Sequence, residues 1–138
     1  MSIKIEINGL EEVLDAIDDI KDMSQLEGAL GRACALVERS AKQKAPKGTG
    51  ELRRSITSKV SGTTGTVFTP LEYAPYVEYG TGLFAEAGNG RKDVPWHYQD
   101  DEGNWHTTSG MHPQPFMRPA LEENRARILE ILKEGLLK

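Results

Sequence analysis

The sequence predicts an α+β fold: a small mixed or antiparallel sheet packed against two or three helices, with an extra exposed β-hairpin. Three observations predict it. Residues 2–7 alternate Ile3, Ile5 and Ile7 with Lys4 and Glu6, the period of a half-buried strand. Residues 10–45 carry apolar side chains at helical spacing in two blocks. Short β-prone runs then flank turn residues twice, once near Gly62 and once near Gly103, as hairpins do. A length of 138 residues suits one domain, taken as 1–138, with 80–112 as a loop and hairpin inserted within it.

The elements follow in order. Asn8-Gly9 ends the first strand, and Asn8 with Glu11 suits a helix cap. Leu10, Val13, Leu14, Ile17 and Ile20 share one face of that helix. Ser24 and Glu27 form a capping-box pattern that opens a longer helix with the stripe Leu26, Leu30, Ala33, Val37 and Ala41. Gly28, Ala29, Gly31, Ala33 and Ala35 are small enough to admit another backbone. This helix must stop before Pro46, with Lys42 and Lys44 at its negative end.

Leu52–Val60 reads as a strand, although Glu51–Ser55 also suits a helical turn. Thr66–Thr69 follows as its hairpin partner. Tyr73–Tyr79 favours a short helical turn, with either Tyr76 and Tyr79 or Tyr73 and Val77 pointing the same way. Gly80–Pro95 is glycine-rich and is expected to be a mobile loop. Residues 96–99 and 104–107 form the second hairpin around Asp100–Gly103. Residues 113–119 approach a last helix in extended form. Pro119 suits its first turn, and Leu121, Ile128, Ile131, Leu132 and Leu136 supply its apolar side.

Composition narrows the function classes. The net charge of −4 argues against a general polyanion binder. Acids dominate before Leu30, whereas Arg32, Arg39, Lys42, Lys44, Lys47, Arg53, Arg54 and Lys59 dominate the stretch from Arg32 to Lys59. That asymmetry suits complementary surfaces meeting within or between subunits. The alternative is a nucleic-acid-binding module that uses the Arg32–Lys59 basic region. The bases are spread over a helix, a turn and a strand, which favours the first. No apolar run reaches the length of a membrane span, and no basic-then-apolar leader opens the chain. One cysteine, Cys34, forms no internal disulfide and is expected to be a small buried residue.

No residue pattern carries catalysis. His97, His106 and His112 lack metal-ligand spacing, so neither a metal nor another cofactor is expected. Lys47-Gly48-Thr49-Gly50 follows a helix, where a phosphate loop would precede one. Glu78 sits among aromatics without a second acid or base and is expected to pair with Arg53, Arg54 or Arg118. Trp96 and Trp105 either fold onto the parent sheet or form contact surface, and the two are compatible if the loop orders on assembly. The residues expected to build fold and contact are Arg53, Arg54, Tyr73, Tyr76, Glu78, Tyr79, Trp96, Trp105, Phe116 and Arg118.

Three blocks stand in a telling order: residues 41–56 (AKQKAPKGTGELRRSI), 73–82 (YAPYVEYGTG) and 113–121 (PQPFMRPAL). Together they resemble the tailed-phage family of head–tail joining or tail-completion proteins. The resemblance spans about Leu26 to Leu132, with residues 88–112 as an elaboration. It implies a non-enzymatic virion protein of the neck or upper tail, made in the host bacterial cytoplasm and needing no cofactor. Its implied partners are other neck and tail proteins, with passing contact with DNA and no membrane. By analogy with related connector and tail-terminator proteins, it also implies a homo-oligomeric ring, commonly of six subunits. The family's blocks fall on Pro46, Gly50, Leu52, Tyr73, Ala74, Val77, Glu78, Gly80, Thr81, Pro115, Phe116, Pro119 and Ala120.

Overall fold

The computed structural model describes residues 1–6, 23–48 and 50–136. Ile7 and the first expected helix lie outside the described residues. The chain divides into two compact units, one of Met1–Pro70 with Phe116–Lys138 and one of Leu71–Pro115.

The first unit is built on strand β1 (Ser2–Glu6), helix α1 (Met23–Lys44), helix α2 (Glu51–Ser55) and strands β2 (Thr57–Ser61) and β3 (Thr64–Phe68). The strands form one antiparallel sheet in the order β1-β3-β2. Ile3 and Ile5 lie opposite Val67 and Gly65, so the period-two pattern of β1 sets the buried face. Helix α1 crosses that face, and its expected stripe of Leu26, Leu30, Ala33, Val37 and Ala41 is buried throughout. The helix already includes Met23, so Ser24 lies inside it and not at its cap.

Glu51–Ser55 is helical, and the strand starts only at Thr57. The expected strand Leu52–Val60 therefore loses its first half. Gly50 supplies the reason: at φ 81° it turns the chain sharply, and Arg54 N–H then bonds back to its carbonyl at 3.0 Å. The Ser55 hydroxyl bonds the Leu52 carbonyl at 2.6 Å and the Thr69 hydroxyl at 2.7 Å, tying α2 to the end of β3.

Close approach of helix and sheet is centred on Gly65, where an added methyl would collide with Cys34 Sγ. Gly65→Ala is expected to destabilise the protein by about 1–3 kcal/mol through overpacking. Denaturant midpoints check this, and the loss should shrink when Cys34 is also alanine. Burial, and secondarily the Glu38 carboxylate, push the Cys34 thiol up, so it stays protonated and unreactive.

The C-terminal segment forms two helices where the sequence suggests one: α4 (Met117–Glu122) and α5 (Arg125–Leu136). Asn124 explains the break, because its side-chain amide donates to the Ala120 carbonyl at 2.7 Å and competes with the helix ladder. Phe116, Met117, Ala120, Ile128 and Ile131 are buried. Helix α5 packs on α1, with Gly135 seated directly against Ala29. The small residues of α1 thus admit a neighbouring helix at Ala29 and the sheet beside Cys34. No helix among the described residues is long and apolar enough to cross a membrane.

Candidate functional site

The second unit begins with helix α3 (Ala74–Tyr79). Pro75 fits its first turn, where its missing N–H costs nothing. Ala74, Val77 and Glu78 are buried at helical spacing, while Tyr73, Tyr76 and Tyr79 are exposed. All three tyrosines therefore leave the buried side, and Val77 does not accompany Tyr73. Gly80, at φ 83°, ends the helix and donates to the Tyr76 carbonyl at 2.9 Å.

The glycine-rich segment that follows is tied down. Thr81 N–H donates to the Met111 carbonyl and Leu83 N–H to the Ser109 carbonyl, at 2.9 and 3.0 Å. The Thr81 hydroxyl accepts from Met111 N–H at 2.8 Å. A short 3-10 turn runs over Gly82–Phe84. Between this segment and α3 opens a cleft of about 620 Å³. Tyr76, Tyr79 and Trp96 give it an aromatic lining beside Pro75, with Glu86 and Arg91 as its charged members. The Arg91 guanidinium lies 5.0 Å from the Trp96 ring, a cation–π contact that holds the indole in place.

Trp96 belongs to the second hairpin, formed by β4 (Trp96–Gln99) and β5 (Trp105–Thr108). Tyr98 stacks on His106 at 5.1 Å, and His97 Nδ1 lies 2.8 Å from the Thr107 hydroxyl. Asp100 organises the turn. Its Oδ1 accepts from the backbone N–H groups of Glu102 and Asn104 at 3.0 and 2.8 Å, and its Oδ2 bonds His106 Nε2 at 2.6 Å. The His106 bond first, and the Asn104 bond next, hold the Asp100 carboxyl below the usual aspartate range. A depressed acid contributes stability above its unfolded pKa and loses it as pH falls through the folded value. Hairpin order should therefore persist at neutral pH and weaken only in acid. An NMR titration of Asp100 should give a midpoint below that of a free aspartate, and an unshifted midpoint would contradict the turn geometry.

Each histidine is engaged separately: His97 with Thr107, His106 with Asp100, and His112 with the Phe84 ring at 3.9 Å. Among the described residues, no three His, Cys, Asp or Glu side chains come together as a metal site.

The remaining candidates are distributed. Tyr76, Tyr79 and Trp96 meet at the cleft, whereas Trp105 is strongly exposed elsewhere on the hairpin. Glu78 and Phe116 are fully buried. No buried side-chain nitrogen or oxygen among the described residues lacks a hydrogen-bond partner, so the Glu78 carboxylate is satisfied. Arg54 is exposed and Arg118 half-buried. Arg53 Nε donates to the Lys42 carbonyl at 3.1 Å, closing the end of α1. Sequence reasoning placed Asp100 in the hairpin turn without giving its side chain a role, and it missed Arg91. An arginine five residues before a tryptophan carries no local signal, but an aspartate opening a turn that ends in Gly103-Asn104 does.

Fold and site together define a small α+β module whose outstanding surface is aromatic. The chain belongs to the HK97-gp10-like family, described as "Bacteriophage HK97-gp10, putative tail-component", whose model matches residues 7–80. Membership carries a structural role in the phage tail, among other tail proteins in the virion. The match includes α3 and ends at Gly80, so most of the cleft and the second hairpin lie beyond it. No curated protein and no solved structure matches the chain.

Proposed function

We propose that this protein is a structural component of the phage neck or upper tail that acts in head–tail joining or tail completion. It does so by self-association, as a homo-oligomeric ring with six as the expected count, and by docking onto neighbouring tail or connector proteins. The observation that carries the reading is the aromatic surface of residues 71–115: an open cleft beside the row Tyr73, Tyr76 and Tyr79, and Trp105 exposed on the hairpin. Exposed tyrosine and tryptophan suit interface anchors, because they combine large apolar area with few rotatable bonds. Family membership supplies the setting.

Deleting the gene tests the role. Electron microscopy should then show heads and tails that fail to join, and normally infective particles would overturn the reading. Light scattering of the purified chain across concentration tests self-association.

One observation favours a second activity alongside the first. Arg39, Lys42, Lys47 and Arg53 border one shallow depression of about 360 Å³ at the end of α1, with Gln43 as the other lining residue. Lys42 is bridged to Glu38 at 3.5 Å, and the other three cations, with no acid in the lining, suit a nucleic-acid backbone, as passing DNA would offer. Duplex binding should then weaken steeply with salt, and an Arg39→Gln/Lys47→Gln chain should lower the log–log slope by about 2. An unchanged slope would rule this depression out as the contact.

A further inference from the structure

We propose that residues 87–95 form a hinged strap that sets the width of the aromatic cleft, with Gly90 as its latch. Such control of access builds on the reading of the cleft as contact surface.

The two sides of the cleft are held very differently. Tyr76 and Tyr79 stand on α3, and the lining continues through Gly80, Thr81 and Gly82. That stretch is fixed by the Thr81–Met111 and Leu83–Ser109 backbone bonds. Glu86 N–H still donates to the Tyr79 carbonyl at 2.8 Å, and Gly88 N–H to the Ala85 carbonyl at 3.0 Å. Beyond Gly88 the backbone makes no hydrogen bond to any described residue until Trp96 pairs with Thr108 in the hairpin. Ala87, Asn89, Gly90 and Arg91 nevertheless line the cleft. One side is therefore helix and paired backbone, and the other is a strap secured at its ends. Ala87, Asn89, Arg91, Lys92 and Asp93 are exposed. Segments with few backbone bonds and little burial open locally at far lower cost than the whole fold.

Two contacts hold the strap between its ends. Gly90 sits on Gly82 so closely that an added methyl would collide with the Gly82 carbonyl oxygen and amide nitrogen, and with the Ala85 side chain. The Arg91 guanidinium covers the Trp96 ring at 5.0 Å. Arg91 also reaches Asp93 at 3.9 Å, but that ion pair lies within the strap and ties it to nothing else. A methyl at position 90 would drive strap and Gly82 apart. Gly82 is buried between residues with paired backbones, so the strap is the part that yields. Lifting it takes Gly90 off Gly82 and Arg91 off Trp96 together, which widens the cleft and bares the indole, as lids do.

Digestion of the full-length chain with a lysine-specific protease measures the opening. Cleavage of a folded chain follows the population of the locally open form when reclosing is fast. In wild type the bond after Lys92 should be cut ahead of those after Lys42, Lys44 and Lys59, which lie in α1 and β2. Gly90→Ala should speed the Lys92 cut by about tenfold, as overpacking a close contact does, and leave the other three cuts and the melting temperature unchanged. Arg91→Gln keeps Lys92 and should speed the same cut about two- to fivefold through loss of the cation–π contact. With Trp105 replaced by Phe, Trp96 is the remaining tryptophan, and acrylamide should quench it more strongly when Gly90 is also alanine. A Lys92 bond cut no faster than the other three, or a rate unchanged in either variant, overturns the strap. So does a Gly90→Ala chain that loses melting temperature and is cut faster at all four sites alike, because the segment would then open only with the whole fold. Unchanged quenching of Trp96 overturns its control of the cleft. No partner takes part in these measurements, so their failure leaves the contact reading standing, and normally infective particles after gene deletion would leave the strap standing.

Discussion

Truncating Phe116 to alanine is expected to lower stability by about 3–5 kcal/mol, the largest effect of any single change considered for this protein. The side chain is fully buried at the start of α4, next to buried Met117 and Ala120. Removing it loses the transfer free energy of a benzyl group and leaves a cavity that the surrounding core closes only in part. A cost of this size is a large share of the total stability of an ordinary domain. The melting temperature should fall by about 10 °C or more, and the denaturant midpoint should move without a change in slope. A loss below about 1 kcal/mol would show that the site repacks freely.

Replacing Glu78 by alanine should cost about 3 kcal/mol. The carboxyl group is fully buried and hydrogen-bonded, so its removal breaks bonds made out of contact with water. Glu78→Gln keeps the volume and one acceptor oxygen, and should cost about half as much. Chemical denaturation of the two variants checks the order. Equal stability of wild type and Glu78→Ala would mean that the carboxylate contributes no net stability.

The helix and sheet patterns are local, and they are plainly legible. The stripe on α1 follows from spacing alone, and all five of its expected residues are buried. The strand period of Ile3 and Ile5 selects the face that meets that helix. The end of α1 before Pro46 follows from the steric demand of a proline on its predecessor. The second hairpin can be read from Asp100–Gly103 and the β-prone runs on either side. The errors arise where local signals compete. At Glu51–Ser55 a left-handed glycine and a helix-compatible run outweigh β-propensity further along. At Asn124 one side-chain amide splits a helix that periodicity alone would continue.

The cleft shows the opposite situation. Its aromatic residues are visible in the sequence, but Tyr76 and Trp96 are twenty positions apart and share no period. What joins them is backbone pairing of Thr81 with Met111 and of Leu83 with Ser109, across about thirty residues. Such pairing depends on the whole chain between and has no local signature.

The sequence by itself determined the α+β class, the amphipathic faces and the phage family, because periodicity and turn chemistry are properties of neighbouring residues and the order of blocks is read directly along the chain. Only the tertiary structure decided that Glu78 is buried, that Arg91 backs Trp96, and that three tyrosines leave the buried side of α3 together. Burial and long-range contact depend on what the rest of the chain brings alongside, and a side chain's own neighbours in sequence do not carry that information.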